Sequence, residues 1–330
     1  MPTDMSTLSD APKQTAGQGM AVGKIILFGE HAVVYGQPAL AAPVGAVSAR
    51  ATLRAAQGEW IDVRTFGRRY RLAQAHERDP LALALKLAVE HCGRRLQDLE
   101  LTLESTIPVA AGLGSGAAVA TATVRAVADY FDVALSPESI AALTFESEKL
   151  LHGKPSGIDN TVIAFERPIV FVKGQTPEAL TPARSFQLVI ADSGVASPTR
   201  LTVGDVAAAH AREPERYERL FTEVGELVRA ARAIIERGDP KDLGPLMDEN
   251  QRLLETMGVS ADVNERLCEA ARGAGALGAK LSGGGRGGNS IALVTDDTAA
   301  QVAAALRAAG ATHVIVTKIG SQTSAAGPTG

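Results

Sequence analysis

Pro108-Val-Ala-Ala-Gly-Leu-Gly-Ser-Gly-Ala117 leads from a short alternating segment into a run rich in alanine and valine. Glycine lets a backbone take positive φ and approach a bound group closely. The residues that follow, Ala117 to Phe131, read as a helix, so the loop sits where a helix begins. A helix start offers free N–H groups and a partial positive charge, which together suit a phosphate. A loop tightened only for packing would read the same way on this segment alone. Two other glycine patterns fit poorly. No Lys follows the glycines, so the P-loop is absent. A dinucleotide fold is a poor match, since it wants Gly-x-Gly-x-x-Gly at a chain's first strand–helix turn, with an acid about 20 residues on.

Outward from this loop the chain mixes strands and helices. Lys24 to Phe28 is a short apolar strand, and Leu99 to Glu104 alternates as a half-buried strand does. Ser136-Pro137-Glu138 has the chemistry of a helix start, and that helix should run to about Leu151 and stop near Gly153. Ile169 to Val172 and Phe186 to Ala191 are branched apolar runs, hence strands. Thr199 to about Met257 is helical and charged, and Ala261 to Arg272 is a further helix. Ala279 to Ser282 and Ile291 to Val294 are strands around a second glycine loop. A helix over Asp297 to Ala309 and a strand over His313 to Val316 follow. The character changes near Ser193-Gly194, which sets the expected boundary: an α+β chain with domains over 19–193 and 194–320. Residues 1–18 and 321–330, rich in small and polar residues, read as tails.

The bulk numbers narrow the function. With 330 residues, 45% hydrophobic and 21% charged, the chain is long enough for two globular domains. A net charge of −4 without any block of Lys or Arg argues against nucleic acid as a partner. Cys92 and Cys268 lie far apart without metal-type spacing, which fits a reducing cytoplasm. No leader-like apolar segment and no run of about 18 apolar residues is present, so no membrane partner is expected.

Three more segments carry chemistry. In Gly23-Lys-Ile-Ile-Leu-Phe-Gly-Glu-His-Ala-Val-Val-Tyr-Gly36, a strand delivers Gly29, Glu30 and His31 in a row at its end. An exposed Lys24 and a structural His31 are the bland alternatives. In Glu146-Ser-Glu148-Lys-Leu-Leu-His152, Glu148 and His152 share a helix face. The chain then breaks at Gly153 and Pro155 and presents Asp159 in a loop. Two acids brought together suggest a hard cation and a reacting hydroxyl; a solvated helix face followed by a turn is the alternative. In Lys280-Leu-Ser-Gly-Gly-Gly-Arg-Gly-Gly-Asn289, five of six consecutive residues are glycine, which suits backbone held against a ligand. An Arg-Gly tract touching RNA is disfavoured, because there is one Arg and strands flank the loop.

The first segment, the middle loop and this last loop, in that order, resemble the three motifs of the galactokinase, homoserine, mevalonate and phosphomevalonate kinase (GHMP) superfamily. The resemblance covers about Gly23 to Val316. It is strongest to the mevalonate-phosphorylating branch, through Gly29 to Gly36, His152 to Asn160 and Asp192 to Arg200.

The resemblance implies a ribosomal protein S5 domain 2-like N-terminal domain and a ferredoxin-like C-terminal domain. It implies ATP and (R)-mevalonate as substrates, Mg2+ as cofactor and a homodimer. Asp159 matches the catalytic aspartate and Lys24 the lysine beside it. Pro108, Ala110, Ala111, Gly112, Leu113, Gly114, Ser115, Gly116 and Ala117 match the ATP loop. Glu148 matches the magnesium-binding glutamate. Glu30, His31, Thr199, Ser282, Gly283 and Gly284 match positions near the acceptor. Four positions depart from the pattern. Gly116 stands where a second serine helps hold magnesium, leaving Ser115 or a water for that work. Gly284 and Arg286 replace Ala and Gly in the third motif, and Arg286 is expected to meet a phosphate or the acceptor's carboxylate. Ser197 stands where the animal enzymes carry Arg.

Overall fold

The computed structural model describes residues 15–109, 112–153, 155–197 and 199–320. The N-terminal half holds β1 (Ala16–Phe28), β2 (Ala39–Ala55), β3 (Trp60–Val63), β4 (Arg68–Arg71), α1 (Pro80–His91), β5 (Leu99–Ser105), α2 (Ser115–Tyr130), α3 (Pro137–His152), α4 (Ile158–Phe165), β6 (Ile169–Phe171) and β7 (Glu178–Ala179). Then come β8 (Phe186–Asp192), α5 (Thr199–Arg212), α6 (Pro214–Arg237), α7 (Leu243–Thr256), α8 (Asp262–Gly273), β9 (Gly278–Ser282), β10 (Asn289–Val294), α9 (Ala299–Ala308) and β11 (His313–Ile319).

The first sheet is built on β2. β1 pairs with it antiparallel over nearly its whole length, β5 pairs with residues 49–55 and β6 with residues 39–41. β3 adds to β5 in parallel, and β4 closes that edge. Helix α2 lies close on β1, which is why it is made of alanine. A Cβ on Gly19 would sit 2.0 Å from the carbonyl oxygen of Ala122, so only glycine allows the approach. Helix α3 begins and ends as its sequence predicts. Ser136 accepts from the Ser139 N–H at 3.2 Å, Pro137 follows, and the Gly153 N–H closes on Lys149 O at 2.9 Å.

The second sheet runs β11-β8-β10-β9, antiparallel throughout. With helices between β8 and β9 and one helix between β10 and β11, this is the ferredoxin-like order, its first crossover enlarged to α5–α8. Strand alternation divides the burial. Leu188, Ile190, Ile291 and Leu293 join the large core shared with the first sheet. Val189, Ala191, Ala292 and Val294 face a smaller core with Leu267, Cys268, Val302 and Leu306 of α8 and α9. Burial there pushes the Cys268 thiol up to about 12, so it is inert packing.

Two expectations change. Ala16, Gly17 and Gln18 belong to β1 rather than a tail, paired with Arg54, Leu53 and Thr52. The boundary lies before Phe186 rather than at 193, because β8 is a central strand of the second sheet. Of the two expected tails, residues 1–14 and 321–330 lie outside the described residues.

Candidate active site

Lys24 lies within β1, not at its start, in a stretch buried from Val22 to Phe28. Its Nζ is 2.8 Å from Asp159 Oδ1, with the lysine side chain 4% exposed and the aspartate 29%. Asp159 is in the first turn of α4 rather than in a loop. The short apolar run Ile158–Phe165 forms a helix because its ends are fastened. Gly157 caps its start, Thr161 donates back to Gly157 O at 2.6 Å, and Asn160 Nδ2 donates to Ala141 O of α3 at 3.0 Å. At the far end Arg125 of α2 donates to Ala164 O at 3.0 Å and Met20 O at 2.7 Å. Arg125 thereby ties the helix that carries Asp159 to the strand that carries Lys24.

The middle loop returns to the same lysine. The Lys24 N–H donates to Leu113 O at 2.9 Å. Gly114, at φ 71°, caps α2; a Cβ there would stand 2.9 Å from Lys24 Cγ and 3.0 Å from Ile163 Cδ1. Ser115, Gly116 and Ala117 form the first turn of α2, whose N–H groups lack helical partners and face the loop. Pro108 is half-buried and Val109 is exposed. Ala110 and Ala111 lie outside the described residues.

Glu148 of α3 is buried beside this pair. Burial first, and then the negative charge of Asp159, push its carboxyl up to about 8, against the pull of Lys24. No group of three or more His, Cys, Asp or Glu with metal-site geometry occurs among the described residues. The hard oxygen donor beside the pair is the buried Glu148 carboxyl. Such a carboxylate fits Mg2+, which keeps several waters of its own. A dication would also offset the crowding of Glu148 and Asp159.

The third motif closes against the first. His31, at φ 61°, donates through Nε2–H to the Gly284 carbonyl, 3.1 Å away, and burial lowers its imidazole to about 4, so it is neutral. The acceptor-facing position expected for Glu30 is corrected. Its side chain is wholly enclosed and paired with Lys280 of β9, because the two halves close over it. Ser282 is likewise engaged, donating to Ile26 O at 2.8 Å and accepting from the Ile26 N–H at 3.2 Å. Gly283 takes φ 94° in open space, and Gly284 packs on Thr199 and Ser197. Thr199 is exposed at the start of α5. A Cβ on Gly112 would stand 3.8 Å from Ser282 O, so the middle and third loops abut. Arg286 does not reach toward a ligand. Its guanidinium is taken by Gly258 O, at 3.2 Å from both Nε and Nη2, and by Asp205.

The three motifs and α4 therefore meet around Lys24. The sequence reading missed Lys280, although a lysine inside the buried run Gly278–Ser282 is itself a signal that a carboxylate waits opposite.

The chain is similar to known proteins over most of its length. Residues 80–167 match the family described as GHMP kinases N terminal domain, and residues 230–312 match GHMP kinases C terminal. A mevalonate kinase of Thermococcus sibiricus is 36% identical over 323 residues, spanning 91% of this chain and 95% of the relative. One of Pyrococcus furiosus is 34% identical over 319 residues, spanning 89% and 94%. The crystal structure of L. major mevalonate kinase in complex with R-mevalonate is similar with a TM-score of 0.83 at 27% identity, covering 94% of this chain and 98% of that one. A Streptococcus pneumoniae phosphomevalonate kinase, at 18% identity and a TM-score of 0.78, shares the fold.

Proposed function

The chain belongs to the GHMP kinases, and on that premise we infer that it transfers the γ-phosphoryl group of ATP to the 5-hydroxyl of (R)-mevalonate. The products are 5-phosphomevalonate and ADP. The observation that carries this reading is the 2.8 Å contact of Lys24 with a part-exposed Asp159, within a chain 36% identical to a mevalonate kinase over nearly its whole length.

Phosphoryl transfer passes through a loose transition state, so positioning and charge neutralisation supply most of the catalysis. Asp159 orients the acceptor hydroxyl. A carboxylate is a weak base toward an alcohol at neutral pH, so it takes the proton late, once P–O bond formation has acidified the oxygen. Lys24 holds the Asp159 carboxylate in place and stabilises charge developing on the phosphoryl oxygens. The first turn of α2, from Ser115 to Ala117, with Pro108 to Gly114 before it, receives the ATP phosphates. Glu148 and Ser115 would hold Mg2+, which supplies positive charge to the β- and γ-phosphates. His31, Thr199, Gly283 and Gly284 border the acceptor. The neutral His31 offers a hydrogen bond there without adding charge.

No helix among the described residues is long and apolar enough to cross a membrane. The resemblance supports a homodimer in the cytoplasm.

A coupled ADP-release assay with Mg-ATP tests the reading on (R)-mevalonate, 5-phosphomevalonate and homoserine, with the phosphate located by NMR. Turnover on mevalonate giving the 5-phosphate is expected. Turnover on another acceptor, or phosphate at position 3, would overturn the acceptor while leaving the ATP chemistry.

A further inference from the structure

Alternate positions of the third motif reach across to the first. Lys280 bonds Glu30, Ser282 bonds both backbone groups of Ile26, and the Gly284 carbonyl meets His31. Lys280 and Ser282, two apart on β9, share a face, and the Gly284 carbonyl in the loop beyond adds a third contact, so the three form a row of clasps. Two of the clasps are neutral. The third is charged, and neither of its side chains has any exposed surface. Lys280 Nζ also donates to Leu281 O at 2.6 Å, while Oε2 of Glu30 has no hydrogen-bond partner.

Such a pair is a poor source of stability. Removing two charges from water costs about what their attraction returns, and an apolar pair of similar volume often does as well. Burial also draws the Lys280 ammonium below its usual range, against the pull of Glu30. What a hydrogen-bonded ion pair does supply is a single geometry. Here it fixes Glu30, and the next residue, His31, is a non-glycine at φ 61°. Left-handed backbone at such a residue persists only where its surroundings hold it.

We propose that Lys280 is a positioning residue for the acceptor: from the second sheet it holds the Glu30–His31 turn in its binding conformation, without touching the acceptor. This rests on the acceptor-kinase reading above. It makes acceptor affinity depend on the seam between the two halves, while the ATP loop hangs chiefly on β1 and α2.

Lys280→Met alone strands a buried carboxylate, so the test uses Lys280→Met/Glu30→Leu beside the neutral hydrogen-bonding pair Lys280→Gln/Glu30→Gln. Thermal midpoint, kcat, KM for mevalonate, KM for ATP and amide exchange over residues 29–36 are compared with the unaltered protein. The apolar pair should melt within a few degrees of it. Its acceptor KM should rise at least tenfold, with the ATP KM within twofold and exchange over 29–36 faster. The Gln pair should show a smaller rise in acceptor KM. An apolar pair with unchanged acceptor KM and unchanged exchange would overturn the proposal. Loss of the fold in both variants would too, since the pair would then carry stability rather than position. If the unaltered protein does not turn over mevalonate, the functional reading fails instead. The exchange comparison needs no acceptor and still decides the clasp.

Discussion

Two lysine–carboxylate pairs on the first motif and its neighbours differ in access. Lys24 and Asp159 join β1 to α4 and leave the carboxylate 29% exposed, whereas Lys280 and Glu30 join the two halves and are sealed at 0%. The contact is the same chemistry in both. A group that must meet a substrate keeps a face open and accepts a weaker field for it. A sealed pair feels its partner more strongly but has nothing else to act on, so it can only hold shape.

The largest effect should come at the open pair. Asp159→Asn is expected to lower kcat by about 10³-fold or more, within the range of general base catalysis, with little change in melting temperature. Near-normal turnover would remove Asp159 from the reaction. The next effect belongs to the sealed pair. Lys280→Met alone should destabilise by about 3–5 kcal/mol, measured by denaturant unfolding, because it leaves an uncompensated buried charge. Lys24→Met should cost clearly less, since solvent reaches its partner. Equal losses would mean that access is not what separates the pairs.

Glu148 sharpens the comparison, being a third carboxylate beside the open pair. Its carboxyl sits at about 8, chiefly through burial and then through Asp159. Between about 4.5 and 8 the folded chain holds a proton there that the unfolded chain has lost, so this group's contribution to stability falls as pH rises through that window. With Glu148 as the proposed magnesium ligand, binding needs its carboxylate form, so the half-saturating magnesium concentration should fall as pH rises from about 6 to about 8, by up to about tenfold per unit. In Glu148→Gln that dependence should be flat; an unaltered slope would place the titrating group elsewhere. The smallest effect is expected at Arg286→Gly. A part-exposed ion pair with Asp205 is lost and a left-handed residue is relieved, so stability should move by less than about 1 kcal/mol. A tenfold rise in acceptor KM would return the guanidinium to the acceptor site.

Much of this was legible because it is local. The Ser136-Pro137 start and Gly153 stop of α3, the helix entered from Gly114, and the apolar strands β6, β8 and β10 all follow from neighbouring residues. What stayed hidden depends on partners. β2 is a seventeen-residue central strand, yet its sequence is rich in alanine and contains Pro43 and Gly45, poor strand formers. It is a strand because β1, β5 and β6 pair with it. Gly45 falls within the register shift opposite Val22 and Gly23, and Pro43 lies just beyond it, across from Lys24. α4 is eight residues long and reads as loop or strand, which is why the sequence puts Asp159 in a loop. The site residues were found by motif, but Glu30 was placed by resemblance and its partner lies 250 positions away. No local pattern announces such a contact.

The position of β8 has a consequence for how the protein is made. Its neighbours on both sides, β10 and β11, are encoded about 100 residues later. At about 5–20 residues per second, β8 leaves the ribosome about 5–20 s before either edge can be paired. During that interval Phe186–Asp192 is an apolar ribbon tethered to a half-made chain, a ready target for a neighbouring nascent copy or a chaperone. Vectorial synthesis, rather than the finished fold, is therefore where this molecule is most exposed to aggregation.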